Sequence, residues 1–343
     1  MLPKGSKMQN LTMSRNNPFT EGILRWYAEN GRDLPWRRTR DPYAIWLSEI
    51  ILQQTRIAQG TAYWQRFMET FPTVEDLASA SEDQVLRLWQ GLGYYSRARY
   101  LHAAARQIVE QGGFPQTLEG IRALKGVGDY TAAAIGSIAF GLPAAVVDGN
   151  VYRVLARHFG ISTVVGTTAA KKEFTSLAQS LLPPEDPAAF NQGMMDFGAL
   201  QCTPASPRCM DCPLAATCDA LRTGRTELLP VKKEAAAVRE RRITYVYIRC
   251  QGQTAIHRRG PGDIWQGLWE PYVCERPEDL GGNLTPLASG VKHQLTHRTL
   301  LADFYLLETE KRPSLPGDYI WIPEAELDRY GKPRLFEHLL ERL

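Results

Sequence analysis

Two carboxylates, Glu49 and Asp148, are the candidates for acid–base chemistry in this chain of 343 residues. Glu49 lies in a segment that reads as a helix, and its neighbours three and four residues away are mostly apolar. Desolvation among such neighbours raises the pKa of a carboxyl group and favours the protonated acid near neutral pH. The alternative is a boundary glutamate that reaches solvent or a salt bridge, because acids are seldom buried.

Asp148 directly precedes a segment, Gly149–Phe159, that we predict to be a helix. An aspartate there is explained by helix N-capping alone, and the positive end of the helix keeps an N-cap carboxylate ionised. A protonated glutamate and an ionised aspartate in one cleft are the pair needed to cleave a glycosidic bond. One protonates the leaving group and the other supports oxocarbenium character at the sugar. The sequence does not show whether the two meet in space.

Four cysteines within seventeen residues form a candidate metal centre, with spacing Cys-x6-Cys-x2-Cys-x5-Cys: Cys202, Cys209, Cys212 and Cys218. Thiols this dense in an apparently cytoplasmic chain favour a metal centre over disulfides. The spacing does not separate zinc from an iron–sulfur cluster, since both accept four thiolates. Cys250 and Cys274 are isolated, and we interpret them as buried apolar thiols.

A glycine turn, Leu124-Lys-Gly-Val-Gly128, precedes the alanine-rich run Thr131–Gly141. Gly126 and Gly128 suit a tight turn because glycine takes a positive φ without steric cost. We expect Asp129 or Thr131 to start the following helix and Gly141 to end it. Bare N–H groups at the positive helix end suit a phosphate. Considered without the rest of the sequence, this glycine turn would be better interpreted as an ordinary helix–helix turn than as a phosphate site.

The elements that must position these residues are predicted to be helical from Pro18 to about Arg222, with almost no β-branched alternation. The expected helices are Phe19–Asn30, Tyr43–Phe71, Thr73–Ala80, Ser81–Gln90, Ser96–Gln111, Thr117–Lys125, the alanine-rich run, Gly149–Phe159, Thr168–Leu182 and Pro187–Leu200. The pattern changes after residue 238. Ile243–Cys250, Thr254–His257, Leu301–Thr309 and Tyr319–Ile322 read as strands, and Pro333–Leu343 as a closing helix.

These patterns predict an all-α N-terminal domain over 19–222, which includes the cysteine loop 202–218. A basic linker over 223–238 and an α+β domain over 239–343 follow. The first 18 residues are polar and lack the apolar core of a signal peptide, so we expect a disordered leader or an uncertain start site, and a cytoplasmic protein. No apolar run reaches the length of a membrane span.

Basic residues cluster although the net charge is only +3. Four arginines and no acid lie between Asp83 and Glu110, four more arginines lie between residues 32 and 40, and a third group marks the linker. Charge runs are usually solvated surfaces. Three of them beside a phosphate-type turn favour nucleic acid as the partner.

Together these features resemble the helix-hairpin-helix DNA glycosylases that carry an iron–sulfur cluster. The resemblance rests on the Leu-Lys-Gly-Val-Gly hairpin, the Val147-Asp-Gly-Asn150 segment and the cysteine spacing, and it covers roughly Phe19 to Cys218. It implies that the four cysteines hold a 4Fe–4S cluster. It also implies that the amides of Gly126 and Gly128 grip backbone phosphate without reading sequence.

Within that superfamily, endonuclease III-like enzymes place a nucleophilic lysine where this chain has Tyr130, so no Schiff base is expected there. The adenine DNA glycosylases are the more similar group. They share a Ser-Glu-x-x-Leu-Gln-Gln-Thr helix, matched by Ser48–Thr55, and a Leu-Pro-Trp-Arg segment, matched by Leu34–Arg37. They also share Gly-Leu-Gly-Tyr-Tyr-Ser-Arg, matched by Gly91–Arg97.

The resemblance implies a role for each matching residue. Glu49 would protonate adenine N7, Asp148 would stabilise the oxocarbenium ion, and Tyr130 and Asn150 would orient that pair. Gln54 and Tyr94 would enter the base stack and hold the duplex open, since a base inside a duplex must be flipped out before it can react.

The C-terminal half resembles the Nudix-like domain that these enzymes use to recognise 8-oxoguanine, through Gly267-Leu-Trp-Glu-Pro-Tyr272. It lacks the Arg-Glu-x-x-Glu-Glu run that holds magnesium in nucleotide diphosphate hydrolases, so we expect no hydrolysis there. Relatives commonly have Phe-Ser-His in the 8-oxoguanine loop, where this chain has Leu295, Thr296 and His297. Thr296 and His297 are the expected contacts, and a surface-loop histidine is the alternative.

The sequence therefore predicts a monomeric, monofunctional glycosylase that excises adenine opposite 8-oxoguanine or guanine in double-stranded DNA, with no membrane partner. The second hypothesis is a thymine or uracil mismatch glycosylase, or an endonuclease III-like pyrimidine enzyme. A third, non-enzymatic hypothesis is an iron–sulfur DNA-binding scaffold. The presence of both Glu49 and Asp148 argues against the third hypothesis.

Overall fold

The computed structural model describes residues 17–233, 239–295 and 298–343. The predicted leader falls almost entirely outside these ranges, as do Thr296, His297 and residues 234–238 of the predicted linker. Contacts divide the chain into two compact units. Unit 1 comprises the described residues of 1–49 and 114–234, and unit 2 those of 50–113 and 235–343.

Helices dominate the chain from Pro18 to Arg222. They are α1 Pro18–Asn30, α2 Pro42–Ile51, α3 Ile57–Thr70, α4 Val74–Ser79, α5 Glu82–Leu88, α6 Ser96–Glu110, α7 Leu118–Ala123, α8 Asp129–Phe140, α9 Gly149–Phe159, α10 Thr168–Leu181, α11 Pro187–Leu200 and α12 Asp219–Arg222. The helical prediction for this half is confirmed, with the ends either matching or displaced by one or two residues, apart from one long helix.

The prediction of one helix over Tyr43–Phe71 was wrong. The chain forms two helices there, α2 and α3, separated by a turn at residues 52–56. Gln54 in this turn has φ 55°, in the left-handed region that interrupts a right-handed helix. The apolar periodicity on both sides of the turn concealed the break, since no proline or glycine marks it.

The core of unit 1 forms where α1, α9, α10 and α11 pack together. Ile23, Val151, Phe174 and Phe190 are fully or almost fully buried at its centre. A second cluster joins α2 to α8, with Ile45 against Ala134 and Ile138. This cluster holds together two helices that carry candidate site residues, because Glu49 lies on α2 and Tyr130 on α8.

Unit 2 contains α3 to α6 and a seven-stranded sheet. The strands are β1 Arg239–Cys250, β2 Gln253–Arg258, β3 Trp269–Glu270, β4 Tyr272–Cys274, β5 Asn283–Gln294, β6 Arg298–Thr309 and β7 Tyr319–Pro323, and the chain closes with α13 Arg334–Leu340. The strand order is β3-β2-β1-β6-β5, with β4 beside β1 and β7 beside β2.

The centre of the sheet is the parallel pair β1 and β6, in register from Arg239 opposite Arg298 to Cys250 opposite Thr309. One face of the sheet packs Tyr245, Tyr247 and Phe304 in a buried cluster with Phe336 of α13. The other face buries a smaller cluster around Val246 and Ile248. The prediction of an α+β domain is confirmed.

Strand β5 was absent from the prediction. Its side chains are mostly exposed, it contains Pro286 and Gly290, and its pairing with β6 shifts register twice between Pro286 and Val291. A polar edge strand with irregularities lacks the apolar alternation by which strands are found in sequence.

Among the described residues, no helix combines the length and apolar character needed to cross a bilayer.

Candidate active site

Glu49 is buried near the C-terminal end of α2. Burial is the largest influence on its carboxyl, and it raises the pKa of Glu49 to about 7. The hydrogen bond donated by the Tyr130 hydroxyl and the charge of Arg37 act in the opposite direction, while the charge of Asp148 adds to the rise. The acid is therefore substantially protonated at neutral pH. The predicted direction of its pKa shift is confirmed.

Asp148 is the N-cap of α9, as predicted. Its Oδ1 accepts hydrogen bonds from the backbone N–H groups of Asn150 and Val151, both at 2.8 Å, and its Oδ2 accepts from the Asn150 side-chain amide at 2.7 Å. Burial raises the pKa of this carboxyl, and these three donors oppose the rise without cancelling it. The donors fix the orientation of both oxygens.

Tyr130 is hydrogen-bonded to Glu49 and lies near enough to Asp148 to be affected by its charge. Its side chain is desolvated, and this, with the charges of Glu49 and Asp148, raises the pKa of its hydroxyl well above the ordinary value. The phenol therefore stays a neutral hydrogen-bond donor at neutral pH. The structure brings Glu49, Tyr130, Asp148 and Asn150 into one electrostatically coupled group, which the sequence did not establish.

Arg153 orients Asn150 and was missed by sequence analysis. Its guanidinium donates to Asn150 Oδ1 at 2.8 Å, to the Gly198 carbonyl at 2.6 Å and to the Cys202 carbonyl at 2.7 Å. Asn150 thus points its amide nitrogen at Asp148 and its oxygen at Arg153. The available signal was the three-residue spacing from Asn150 on one helix face.

Gly198 of α11 makes room for Asn150. A Cβ atom at position 198 would lie 2.6 Å from the Asn150 Cβ and 3.0 Å from both its Cα and its carbonyl oxygen. Two of these three atoms belong to the backbone of α9, so a rotamer change would not relieve the contact. The close packing of α9 on α11 therefore depends on a residue without a side chain.

A buried ion cluster also lies beside Glu49, and sequence analysis did not identify its anion. The fully buried Asp196 accepts two hydrogen bonds from Arg37, at 2.7 and 2.9 Å, and others from the Arg32 backbone and side chain. Burial by itself raises the pKa of Asp196. The hydrogen bonds and charges of the two arginines lower the pKa by more than burial raises it, so the net shift is downward. These bonds hold the Arg37 guanidinium in place, and its positive charge lowers the pKa of Glu49.

The glycine hairpin differs in one detail from the prediction. Gly126 has φ 76°, whereas Gly128 has φ −98° and is the N-cap of α8, so only Gly126 uses the conformation reserved for glycine. The helix begins at Asp129 and ends before Gly141, at φ 66°, as expected. Gly126 and Gly128 are exposed on either side of the buried Val127.

Gln54 and Tyr94, the residues expected to enter the base stack, belong to unit 2. Both side chains are exposed, and both residues have positive φ values, 55° and 47°. Positive φ is uncommon for residues other than glycine, and such strain clusters at functional sites. Thr296 and His297 lie outside the described residues.

The four cysteines, Cys202, Cys209, Cys212 and Cys218, line one small cavity together with Arg157. The Arg157 guanidinium lies 3.5 Å from Cys202 Sγ and also donates to the carbonyls of Thr203 and Pro204. Among the described residues, no group of three or more histidine, cysteine or acidic side chains is arranged to hold a single metal ion. The shared cavity nonetheless brings all four predicted ligands to one place.

Comparison with known proteins agrees with both halves of the fold. Residues 47–184 match the HhH-GPD superfamily of base excision DNA repair proteins, and residues 244–342 match the NUDIX domain. Among solved structures, a thermostable thymine-DNA glycosylase is 34% identical with a TM-score of 0.56, covering 60% of this chain and 95% of that one. A non-covalent endonuclease III–DNA complex is similar in fold, at 23% identity and a TM-score of 0.52, covering 60% of this chain and 94% of that one.

Curated relatives specify the family. The adenine DNA glycosylase of Homo sapiens is 46% identical over 222 residues, which span 62% of this chain but only 41% of the human protein. That of Buchnera aphidicola subsp. Schizaphis graminum is 36% identical and covers 73% of both chains. That of subsp. Baizongia pistaciae is 33% identical, covering 82% of this chain and 84% of its own. This chain belongs to the adenine DNA glycosylase family.

Proposed function

We propose that the chain is a monofunctional DNA glycosylase that excises adenine paired with 8-oxoguanine or guanine in double-stranded DNA. The observation that carries the proposal is the buried Glu49, with a pKa of about 7, beside an Asp148 held by three hydrogen-bond donors. Glycosidic cleavage needs such a pair of carboxyl groups with separated tasks.

In the proposed reaction, Glu49 transfers its proton to N7 of the flipped adenine. The bond between the sugar C1′ and adenine N9 then breaks, and its electron pair leaves with the base. The carboxylate of Asp148 stabilises the positive charge that develops on the sugar. A water molecule then bonds through its oxygen to C1′ and gives up one proton, which returns to the Glu49 carboxylate, and an abasic site is left. Tyr130 and Asn150 orient the two carboxyl groups through the hydrogen bonds described above.

The remaining parts of the proposal concern DNA binding. Gly126 and Gly128 would bind backbone phosphate at the N-terminus of α8, Gln54 and Tyr94 would enter the base stack, and Thr296 with His297 would contact 8-oxoguanine. We further propose a monomer with the domain boundaries predicted above. The cytoplasmic location stays a prediction.

Base release from defined duplexes tests the function. Duplexes with 8-oxoguanine:adenine, guanine:adenine and guanine:thymine pairs are incubated with enzyme, and both the released base and alkali-independent strand scission are measured. Release of adenine alone supports the proposal. Release of thymine would instead favour the pyrimidine mismatch hypothesis, which the likeness to a thymine-DNA glycosylase keeps open. Tight binding without release would favour the scaffold hypothesis.

We also propose that Cys202, Cys209, Cys212 and Cys218 hold a 4Fe–4S cluster. The residues fit such a group, because four thiols and the cationic Arg157 line one cavity. A bound cluster would cross-link the 202–218 segment and hold it folded. The purified protein is expected to be yellow-brown, with about four iron and four sulfide per chain. Stoichiometric zinc without iron, in protein prepared without oxygen, would refute the assignment, and the C212S variant is the control for cluster loss.

The absence of an amine at position 130 predicts that the enzyme does not cleave the DNA strand. A Schiff base at C1′ needs an activated amine, and Tyr130 instead offers a neutral phenol. Borohydride is therefore expected to trap little enzyme–DNA adduct during a reaction in which adenine is fully released. The variant Tyr130→Lys is the informative comparison. Efficient trapping by the unmodified protein would contradict the monofunctional proposal.

The Thr296 and His297 prediction concerns lesion preference. A double change to alanine is expected to reduce the preference for 8-oxoguanine:adenine over guanine:adenine by about tenfold, because one good base contact is worth ~1–3 kcal/mol. Single-turnover excision from both pairs is measured at one salt concentration, since phosphate contacts depend on salt. An equal loss on both pairs would assign the loop to general DNA binding instead.

A further inference from the structure

A single buried side chain, Arg97 of α6, is bonded to backbone carbonyls just before Gln54 and lies beside the Thr55 side chain just after it. Its Nη1 donates to the carbonyls of Ile50 at 2.9 Å, Ile51 at 3.1 Å and Gln53 at 2.5 Å. Its Nη2 lies 3.5 Å from the Thr55 hydroxyl. These groups close the C-terminal end of α2 and the turn after it, where carbonyls lack helical partners.

The same guanidinium lies against two aromatic rings. Its carbon is 5.1 Å from the Trp89 ring centre and 5.4 Å from the Tyr94 ring centre, within the range of cation–π contacts. Trp89 is fully buried and its indole nitrogen donates to the Gly93 carbonyl, so it forms a fixed wall beside the segment that carries Tyr94.

Arg97 thus joins two segments whose tips are strained. Gln54 and Tyr94 are two of the five residues other than glycine that have positive φ in the described parts of the chain, and both expose their side chains. Left-handed backbone at ordinary residues persists only where the surroundings hold it in place. Arg97 supplies part of that restraint to both segments.

The end of α2 could be closed without a buried arginine such as Arg97. Burying a guanidinium is costly, and desolvation lowers the pKa of Arg97 to about 10, which still leaves it charged at neutral pH. Its Nε has no hydrogen-bond partner among the described residues. A backbone amide or a water molecule is the ordinary partner for a terminal carbonyl, at less desolvation cost.

We propose that Arg97 is a positioning residue that holds Gln54 and Tyr94 together, in their strained conformations, for insertion into the base stack. This inference rests on the proposed function, because it assumes that the two exposed side chains open the duplex. It assigns the restraint to Arg97, a residue outside the groups that act on the glycosidic bond.

The variant Arg97→Lys tests the proposal, since lysine keeps the charge but loses the planar fork that reaches several carbonyls at once. Single-turnover excision is compared on two substrates. In one, adenine pairs with 8-oxoguanine in a full duplex; in the other, adenine lies opposite a three-nucleotide gap, where flipping costs little. The matched control is Arg106→Lys, which changes another arginine of α6 that donates to a backbone carbonyl.

We expect Arg97→Lys to lower excision from the full duplex about tenfold to a hundredfold and from the gapped substrate by less than about threefold. The Arg106 variant keeps its positive charge, and any effect it has should be equal on the two substrates. In a Gln54→Ala, Tyr94→Ala background the Arg97 effect should largely disappear, because the residue acts through those two side chains.

An equal loss on both substrates, or no loss on either, would overturn the proposal. If the unmodified enzyme released adenine from neither substrate, the proposed function would fail instead.

Hydrogen exchange gives a second measurement that needs no variant. The Thr55 amide, which donates to the Leu52 carbonyl, should exchange slowly in the unmodified protein. Exchange at the rate of an unstructured peptide would show that the turn is not held.

Discussion

Replacing Glu49 with glutamine is expected to lower adenine excision by at least about 10²–10⁴-fold, the usual contribution of a general acid. Glutamine keeps the size of the side chain and can still bond to the Tyr130 hydroxyl, but it has no proton to transfer. Binding of the same duplex should change little. The measurement is single-turnover release of adenine, with enzyme in excess over the 8-oxoguanine:adenine duplex.

The pH dependence distinguishes loss of the acid from general damage. In the unmodified enzyme, excision should fall as the pH rises through about 7, where Glu49 loses its proton. The residual activity of Glu49→Gln should lack this decline. A variant with excision near the unmodified rate, or one that keeps the same decline above pH 7, would remove Glu49 from the acid role.

The same substitution should stabilise the protein at high pH. The pKa of Glu49 is raised in the folded state from 4.5 to about 7, so the unfolded chain releases this proton first as the pH rises. Glu49 therefore costs stability progressively between pH 4.5 and 7, about 3 kcal/mol in total. Above pH 7, Glu49→Gln should resist urea better than the unmodified protein, and the difference should vanish below about pH 4.5.

The second large effect is expected from Asp196→Asn. Asp196 is fully buried and accepts hydrogen bonds from both Arg37 and Arg32, so its loss leaves two guanidinium groups without their anion. Breaking a buried pair from one side costs about 3–5 kcal/mol. We expect the lower end of that range, because part of Arg32 reaches solvent. Urea denaturation at pH 7 measures the change in the free energy of unfolding.

An exposed pair provides the control. Asp33 binds Arg38 through two nitrogens, but both side chains are about two-thirds exposed, so Asp33→Asn should leave the unfolding midpoint unchanged. The contribution of Asp196 to stability should also depend on pH. Its pKa is lowered in the folded state, so the stability it supplies is complete above the ordinary value of 3.8 and disappears as the pH falls below it. Equal effects of the two substitutions would contradict the importance of burial.

The sequence predicted those features of the candidate site that depend on a residue's own neighbours along the chain. Glu49 has apolar neighbours on its helix, and Asp148 directly precedes the helix that it caps. The partner of Arg37 could not be predicted in this way, because Asp196 lies 159 residues further along the chain. An isolated aspartate in an apolar helix gives no sign of which cations it will meet.

The errors in the fold have a similar origin. The break between α2 and α3 depends on Gln54 at φ 55° and on the bonds from Arg97, a residue more than 40 positions away. Strand β5 depends on pairing with β6 rather than on its own apolar pattern. Local periodicity identified most helices and the two central strands, whereas features created by distant partners were lost.

Gly198 has a consequence for the genetics of this protein. Every missense codon at position 198 adds at least a Cβ atom, and that atom would meet the backbone of Asn150 at 3.0 Å. Size and polarity of the new side chain would matter little, because alanine already encounters the obstacle. A saturation library should show position 198 as uniformly intolerant. An inherited change there would be damaging although the residue contributes no functional group and lies on a helix outside the reacting pair.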